Sequence, residues 1–296
     1  MPQTFTPSSG SAKTARAESV KTIDCWQPVA LIAEGPWTCV HQSRPQDCSA
    51  ELPADYAIKV LKDEFANDRL ARVQIQREAK IGKSVTHPNL VSVLHSQVDK
   101  PPFYVVMPHL EGKTLASMLL KHERICLPQA LWIARQTAEA MSALHVAGWM
   151  HADVKPSNIF VSPQGHVTLI DLGFARNFEA PNENRGELVG TMNYAAPELF
   201  ISKCGRDGQS DVYSLGVTLY ELLTSRLPFV EDDACDLALA HLREQPPDPR
   251  IQAPNLPPRL VRLLNRMLAK EPLRRPQAHE LVSILMELEI ATFDER

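Results

Sequence analysis

The tightest constraint on this chain is ten residues long. In HADVKPSNIF, residues 151–160, a helical pattern has just ended and a short apolar strand begins. A His, an Asp, a Lys and an Asn fall in between. A loop Asp with a Lys two residues on and an Asn five residues on suits phosphoryl transfer. Asp153 would accept the proton of an attacking hydroxyl, Lys155 would neutralise the moving phosphate, and Asn158 would offer an oxygen to a metal ion. A second acid strengthens the pattern. Asp171 follows the apolar strand VTLI, 18 residues after Asp153, and that gap accommodates a strand pair returning the chain beside its start. Asn158 and Asp171 then share one metal–phosphate cluster. Two protein oxygens plus phosphate suit Mg²⁺, which keeps much of its water shell.

The rest of the chain is ordinary enough to let that loop decide. With 296 residues it is long enough for one large domain or two lobes. Net charge is −4, so no bulk positive field argues for nucleic acid or an anionic membrane. No run of 18 apolar residues exists to span a bilayer. The six cysteines, at 25, 39, 48, 126, 204 and 235, lack any CxxC pair. That usage reads as reduced thiols in the cytoplasm and argues against a zinc site. Residues 1–22 are rich in Ser, Thr, Ala and Pro and read as a disordered tail.

From Trp26 the pattern turns to strands. VALIAEG and WTCVHQ form an expected hairpin, YAIKVL a third strand, and LVSVLHSQV and FYVVM two more, with a helix over 63–84 between them. After Met107 the pattern is mostly helical, with helices expected over 128–146, 210–224, 233–243, 258–269 and 277–288. A small β-rich front and a larger α-rich back meet near PHLEG, 108–112, and a cleft between such lobes is a natural ligand site.

HADVKPSN, DLG, AAPE and AIK resemble the protein kinase motifs H-R-D-x-x-x-x-N, D-F-G, A-P-E and V-A-I-K, over roughly residues 27–290. The resemblance implies an α+β, two-lobed kinase-like fold, with an N-lobe over 23–107 and a C-lobe over 108–290. It implies ATP and Mg²⁺ as cofactors and Ser/Thr-bearing proteins as substrates. By that likeness Lys59 holds the α- and β-phosphates and pairs with Glu78. Ala33, Gly35, Val40 and Ala57 lie around the nucleotide, Met107 takes the gatekeeper place, and Pro108 and Leu110 meet the adenine. Thr191 in GTMNYAAPEL would hydrogen-bond near Asp153 and Lys155, as in serine/threonine kinases. Glu198, Arg275 and Asp211 are implied as structural supports, and His151 as a packing residue rather than a base. Leu172 stands in the place of the usual Phe.

Three departures stand out. Ala33 and Thr38 occupy two of the three glycine positions of the nucleotide lid, and Pro36 has no amide to donate. Ala152 replaces the Arg that grips an activation-loop phosphate in regulated kinases. The loop LGFARNFEAPNENRGELVG, 172–190, carries no Ser, Thr or Tyr, yet holds Glu179, Glu183 and Glu187, one of which Arg176 would pair with. The missing Arg and the missing acceptor agree with each other. They imply an enzyme that needs no activation-loop phosphorylation and is governed elsewhere, by the tail or a regulatory partner. A pseudokinase scaffold and a small-molecule phosphotransferase are the alternatives. GTMNYAAPE with Arg275 counts against the second, and the intact Lys59, Glu78, Asp153, Lys155, Asn158 and Asp171 count against the first.

Overall fold

The computed structural model describes residues 22–49, 51–121, 125–179, 192–201 and 207–294. The expected tail lies outside these residues up to position 21.

The front lobe is a five-stranded antiparallel sheet in the order β1-β2-β3-β5-β4, with β1 Trp26–Glu34, β2 Thr38–Pro45, β3 Tyr56–Leu61, β4 His95–Gln97 and β5 Tyr104–Pro108. Side-chain alternation along β3 divides its two faces. Ile58 packs outward with Tyr104, Val106 and Ile23, whereas Ala57 and Leu61 pack inward with Val105 and Met107. The inward face is covered by helix α1, Arg69–Ser84, which buries Ala71, Ile75, Glu78 and Gly82 on one stripe.

Two boundaries differ from the sequence pattern, each for a backbone reason. The helix expected from residue 63 starts at Arg69, because the Asp68 side chain accepts the amide of Ala71 and caps it there; residues Asp63–Phe65 form a 3-10 turn instead. The apolar run 90–98 was expected as a strand, yet only His95–Gln97 pairs in the sheet. Val93 N donates to Gly82 O at 2.9 Å, and Val91 N donates to Leu169 O at 3.0 Å. The run therefore ties α1 to the back lobe rather than extending the sheet.

The back lobe holds α2 Leu115–Leu120, α3 Leu127–Val146, α4 Gly208–Thr224, α5 Ala234–Arg243, α6 Pro258–Met267 and α7 Ala278–Asp294. Short strands sit where it faces the front: β6 Lys113–Thr114, β7 Trp149–Met150, β8 Ile159–Val161, β9 Val167–Leu169 and β10 Arg176–Asn177. β8 and β9 pair antiparallel and bring the chain back, so residue 171 lies near residue 153's loop. Helix α2 went unread because LASMLL offers less than two turns; the Thr114 hydroxyl accepts Ser117 N and starts it. The five longer helices of this lobe start within two residues of their expected starts and end within six of their expected ends. Helix α4 is buried on almost every side and is the axis on which the lobe packs.

Burial in this lobe includes a histidine. His241 on α5 is enclosed, with the Tyr213 hydroxyl 2.9 Å from Nδ1 and the Phe229 ring at 5.0 Å. Burial first, and the Lys270 ammonium second, push its pKa down to about 4, against about 6.5 for an unfolded histidine. As pH falls below about 6.5, the unfolded chain takes up a proton that the folded chain refuses. The stability contributed by neutral His241 is therefore present above that pH and is lost toward about 4. The expected loss across that window is on the order of 3 kcal/mol. It is read as the change in urea midpoint between about pH 7 and pH 4.5, with a shallower dependence in His241→Gln. Identical pH dependence in the two proteins would contradict the assignment.

Candidate active site

The register of the front sheet decides which side chains face the cleft. Ala33 on β1 pairs with Val40 on β2, and Val40 pairs with Lys59 on β3; Ala57 pairs with Met107 on β5. Alternation places Ala33, Val40, Ala57, Lys59 and Met107 on one face. Met107 is buried, and Pro108 and Leu110 beyond it are half-buried at the junction of the lobes. Gly35 sits in the β1–β2 turn, where its amide donates to Thr38 O at 2.8 Å.

Lys59 is the charge that joins the lobes. Its Nζ lies 2.7 Å from Glu78 Oε2 on α1 and 2.8 Å from Asp171 Oδ1 after β9. Burial alone would depress the ammonium pKa, but Asp171 and Glu78 together hold it above the ordinary lysine value. Burial likewise opposes ionisation of Asp171, yet Lys59 keeps that carboxyl below the usual range. Glu78 is 1% exposed, and burial pushes its carboxyl up against the pull of Lys59.

Asp153 and its neighbours form the second half of the site. Its Oδ2 accepts from Asn158 Nδ2 at 2.8 Å and lies 2.8 Å from Lys155 Nζ. Asn158 Nδ2 also donates to Asp153 O at 2.8 Å. Its amide nitrogen is thereby committed to Asp153, which turns Oδ1 away as an acceptor. Burial raises the Asp153 pKa, and Lys155 partly offsets it. Ile170 N donates to Asn158 O at 2.9 Å, and His151 Nε2 is 3.0 Å from Ile170 O. These bonds clamp the Asp153 loop to the strand that delivers Asp171. Among the described residues no group of three or more His, Cys, Asp or Glu forms a metal cage. Asn158 Oδ1 and the Asp171 carboxylate are oxygen donors of the kind a hard cation takes beside phosphate and water.

Two non-glycine residues here have positive φ: Ala152 at 65° and Asp171 at 66°. Such backbone costs roughly 1–2 kcal/mol each and persists only where surroundings impose it. For Ala152 the constraint is the buried Asp211 on α4. Its Oδ1 accepts Ala152 N at 2.8 Å, and its Oδ2 accepts His151 N at 2.8 Å. His145 Nε2 approaches Oδ2 at 2.9 Å. Burial would raise this carboxyl, but His145, through its bond and its charge, and then His151 hold it below the usual range. Gly208 makes the arrangement possible, since a Cβ there would lie 2.5 Å from the His145 ring. His145 is a site residue that the sequence reading missed. Its only signal, a histidine six positions before His151, means nothing without knowing that α4 passes behind the loop.

Below the loop, Arg275 grips Glu198 with two nitrogens, at 2.7 and 2.9 Å, and Ser210 Oγ donates to the same carboxylate at 2.6 Å. This fixes Pro197–Phe200 against α4, while the Tyr194 hydroxyl donates to Glu221 at 2.7 Å. Thr191 lies outside the described residues, as do Glu183 and Glu187. Among the described residues no ion pair joins Arg176 to Glu179.

The chain is similar to known proteins. The protein kinase domain family matches residues 35–284. The chain is 37% identical over 227 residues to the serine/threonine-protein kinase PknA of Mycobacterium tuberculosis, covering 74% of this chain and 51% of that protein. It is 33% identical over 263 residues to the serine/threonine-protein kinase pkn3 of Myxococcus xanthus, covering 85% and 47%. Against the serine/threonine-protein kinase PrkC of Bacillus subtilis it is 31% identical over 230 residues, covering 77% and 35%. The chain spans between about a third and a half of the length of these relatives.

If Asp211 imposes the backbone of Ala152, the two positions are energetically coupled. Asp211→Asn is expected to cost about 1–3 kcal/mol in denaturant unfolding, since it withdraws an acceptor from a buried amide. In an Ala152→Gly background the cost should fall by at least about 0.5 kcal/mol, because glycine no longer needs to be held. Strict additivity in the four-member cycle would show that Asp211 does not hold Ala152.

Proposed function

Because the chain belongs to the protein kinase family, we propose that it transfers the γ-phosphate of ATP to serine and threonine hydroxyls of proteins. The observation that carries this reading is Lys59, bonded at once to Glu78 on α1 and Asp171 from the other lobe. A scaffold needs no such bridge, and an exposed strand lysine would not meet a buried helix glutamate.

In this reading Lys59 steadies the α- and β-phosphates beneath Ala33, Gly35, Val40 and Ala57, and the adenine meets Met107, Pro108 and Leu110. Asp153 orients the acceptor hydroxyl and takes its proton, while Lys155, 2.8 Å away, lies where charge builds on the moving phosphate. Asn158 and Asp171 are the residues that would hold Mg²⁺, which when bound neutralises charge shared between the phosphates. Thr191 is assigned to the acceptor side. Glu198, Arg275 and Asp211 hold the platform and loop and touch no reactant. Lys155 two residues after Asp153 and the GTMNYAAPE platform favour protein serine and threonine as acceptors, and the names of the relatives support the same class.

Regulation follows from Ala152. A methyl group cannot grip a phosphate, and residues 172–190 offer no hydroxyl to carry one. The proposed enzyme is active without phosphate in that segment, in a cytoplasmic setting that suits unpaired cysteines, and a partner or residues 1–22 would control it. No helix among the described residues is long and apolar enough to cross a membrane.

The test is transfer of label from γ-labelled ATP to a generic basic protein in Mg²⁺, followed by identification of the phosphoamino acid. Phosphoserine or phosphothreonine is expected. Asp171→Ala should abolish transfer. Asp153→Asn should cut turnover by at least about 100-fold while ADP binding stays near parental. Transfer by Asp153→Asn at the parental rate would remove Asp153 from its role.

A further inference from the structure

We propose that Arg77, the neighbour of Glu78 on α1, is a positioning residue that keeps Asp171 in register with α1 while the Lys59–Asp171 bond is open. The proposal rests on the nucleotide reading above and deepens it by naming what takes the place of a phosphate grip on the Asp171 segment.

The contacts form a closed ring. Arg77 Nη1 donates to Gly173 O at 3.2 Å, and Gly173 N donates to Asp171 Oδ1 at 3.3 Å. The same Oδ1 lies 2.8 Å from Lys59 Nζ, and Lys59 returns to α1 through Glu78 at 2.7 Å. The ring leaves the helix at one residue and re-enters at the next. The helix passes close to this segment, since a Cβ added at Gly173 would lie 3.6 Å from Gln74 Cβ. One turn further along α1, Lys80 Nζ sits 5.4 Å from the centre of the Trp149 ring, on the strand residue that pairs with Asn177. Arg77 and Lys80 share one side of the helix, as residues three apart do. Lys80 is exposed, and a cation over a ring is weak in such a place. The Arg77 bond is the stronger, because a guanidinium donating to the carbonyl of a buried glycine is charge-assisted.

The ring gives Arg77 a task. When Lys59 turns to the phosphates, its bond to Asp171 opens, and the ring opens there. Glu78 still reaches Lys59 but no longer reaches Asp171 through it. Asp171 has a φ of 66°, a backbone that persists only where its surroundings impose it. Arg77, still bonded to Gly173 O, holds the turn whose amide orients the Asp171 carboxylate. In regulated kinases a phosphate gripped by arginine orders the activation loop. Here position 152 is alanine and residues 172–190 carry no hydroxyl. The start of that loop takes its order from α1 instead, through a bond that is present without phosphate.

The experiment uses the full chain, titrated calorimetrically with ADP with and without Mg²⁺, beside turnover of ATP. The proteins compared are the parent, Arg77→Ala and Arg77→Lys. Arg77→Ala is expected to bind ADP without Mg²⁺ at near-parental affinity, since Lys59 and Glu78 are intact, and to lose most of the gain in affinity that Mg²⁺ brings to the parent. Its kcat should fall about tenfold, the equivalent of one charge-assisted hydrogen bond. Arg77→Lys keeps the charge without the planar fork and should recover part of both losses; it carries the comparison with the parent if Arg77→Ala does not fold. A merely structural role would lower the stoichiometry of binding and leave the Mg²⁺ gain unchanged in the protein that binds, and that result would overturn the proposal. A parental Mg²⁺ gain with parental kcat in both variants would overturn the role of Arg77 alone. A parent that binds ADP and Mg²⁺ but transfers no phosphate would overturn the proposed function, with the Mg²⁺ gain still deciding for or against Arg77. A parent that binds no ADP would overturn both.

Discussion

A single ammonium group bonded to two carboxylates joins the halves of this protein. Lys59 comes from β3, Glu78 from α1 and Asp171 from the segment after β9, and Nζ lies 2.7 and 2.8 Å from its two partners. Glu78 is buried and Lys59 largely so, so removing either leaves the other's charge uncompensated. The trio therefore demands that the front sheet, its helix and the back lobe keep one relative placement. Other features serve that demand. The 90–93 run bonds to both Gly82 and Leu169, tying α1 to β9 beside the trio.

A second buried carboxylate organises the loop opposite. Asp211, on α4, a helix buried on almost every side, accepts two successive amides of the Asp153 loop, where Ala152 has positive φ. Backbone strain of this kind tends to gather where geometry must be exact for function. It also clarifies what the missing arginine changes. The backbone at 152 takes its shape from Asp211, not from its own side chain, so an alanine keeps the loop in place. What it gives up is any grip on a phosphate.

The two-lobed architecture was legible in the order of strands and helices. Asp153, Asn158 and Asp171 stood out by their spacing, and Lys59 and Glu78 through the resemblance to protein kinases; the structure brings Lys59, Glu78 and Asp171 together and sets Asn158 against Asp153. Strands such as YAIKVL and helices such as α4 were readable from periodicity. Residues 90–93 were not, since an apolar run does not say whether it bonds within its own sheet or across to another lobe. Helix α2 was too short to show a period. His145 escaped because it acts through a neighbour far away in sequence, Asp211. Thr191 and the glutamates of the 180–191 segment lie outside the described residues.

If Lys59 holds the phosphates, as proposed, its bond to Asp171 must yield to nucleotide and cation. Calorimetric titration with ADP, with and without Mg²⁺, on the parent chain and on Lys59→Met, tests it most directly. The parent is expected to bind ADP, Mg²⁺ to tighten that binding, and Lys59→Met to weaken it by at least about tenfold, or about 1.4 kcal/mol. Equal affinity in both proteins, with no effect of Mg²⁺, would contradict it.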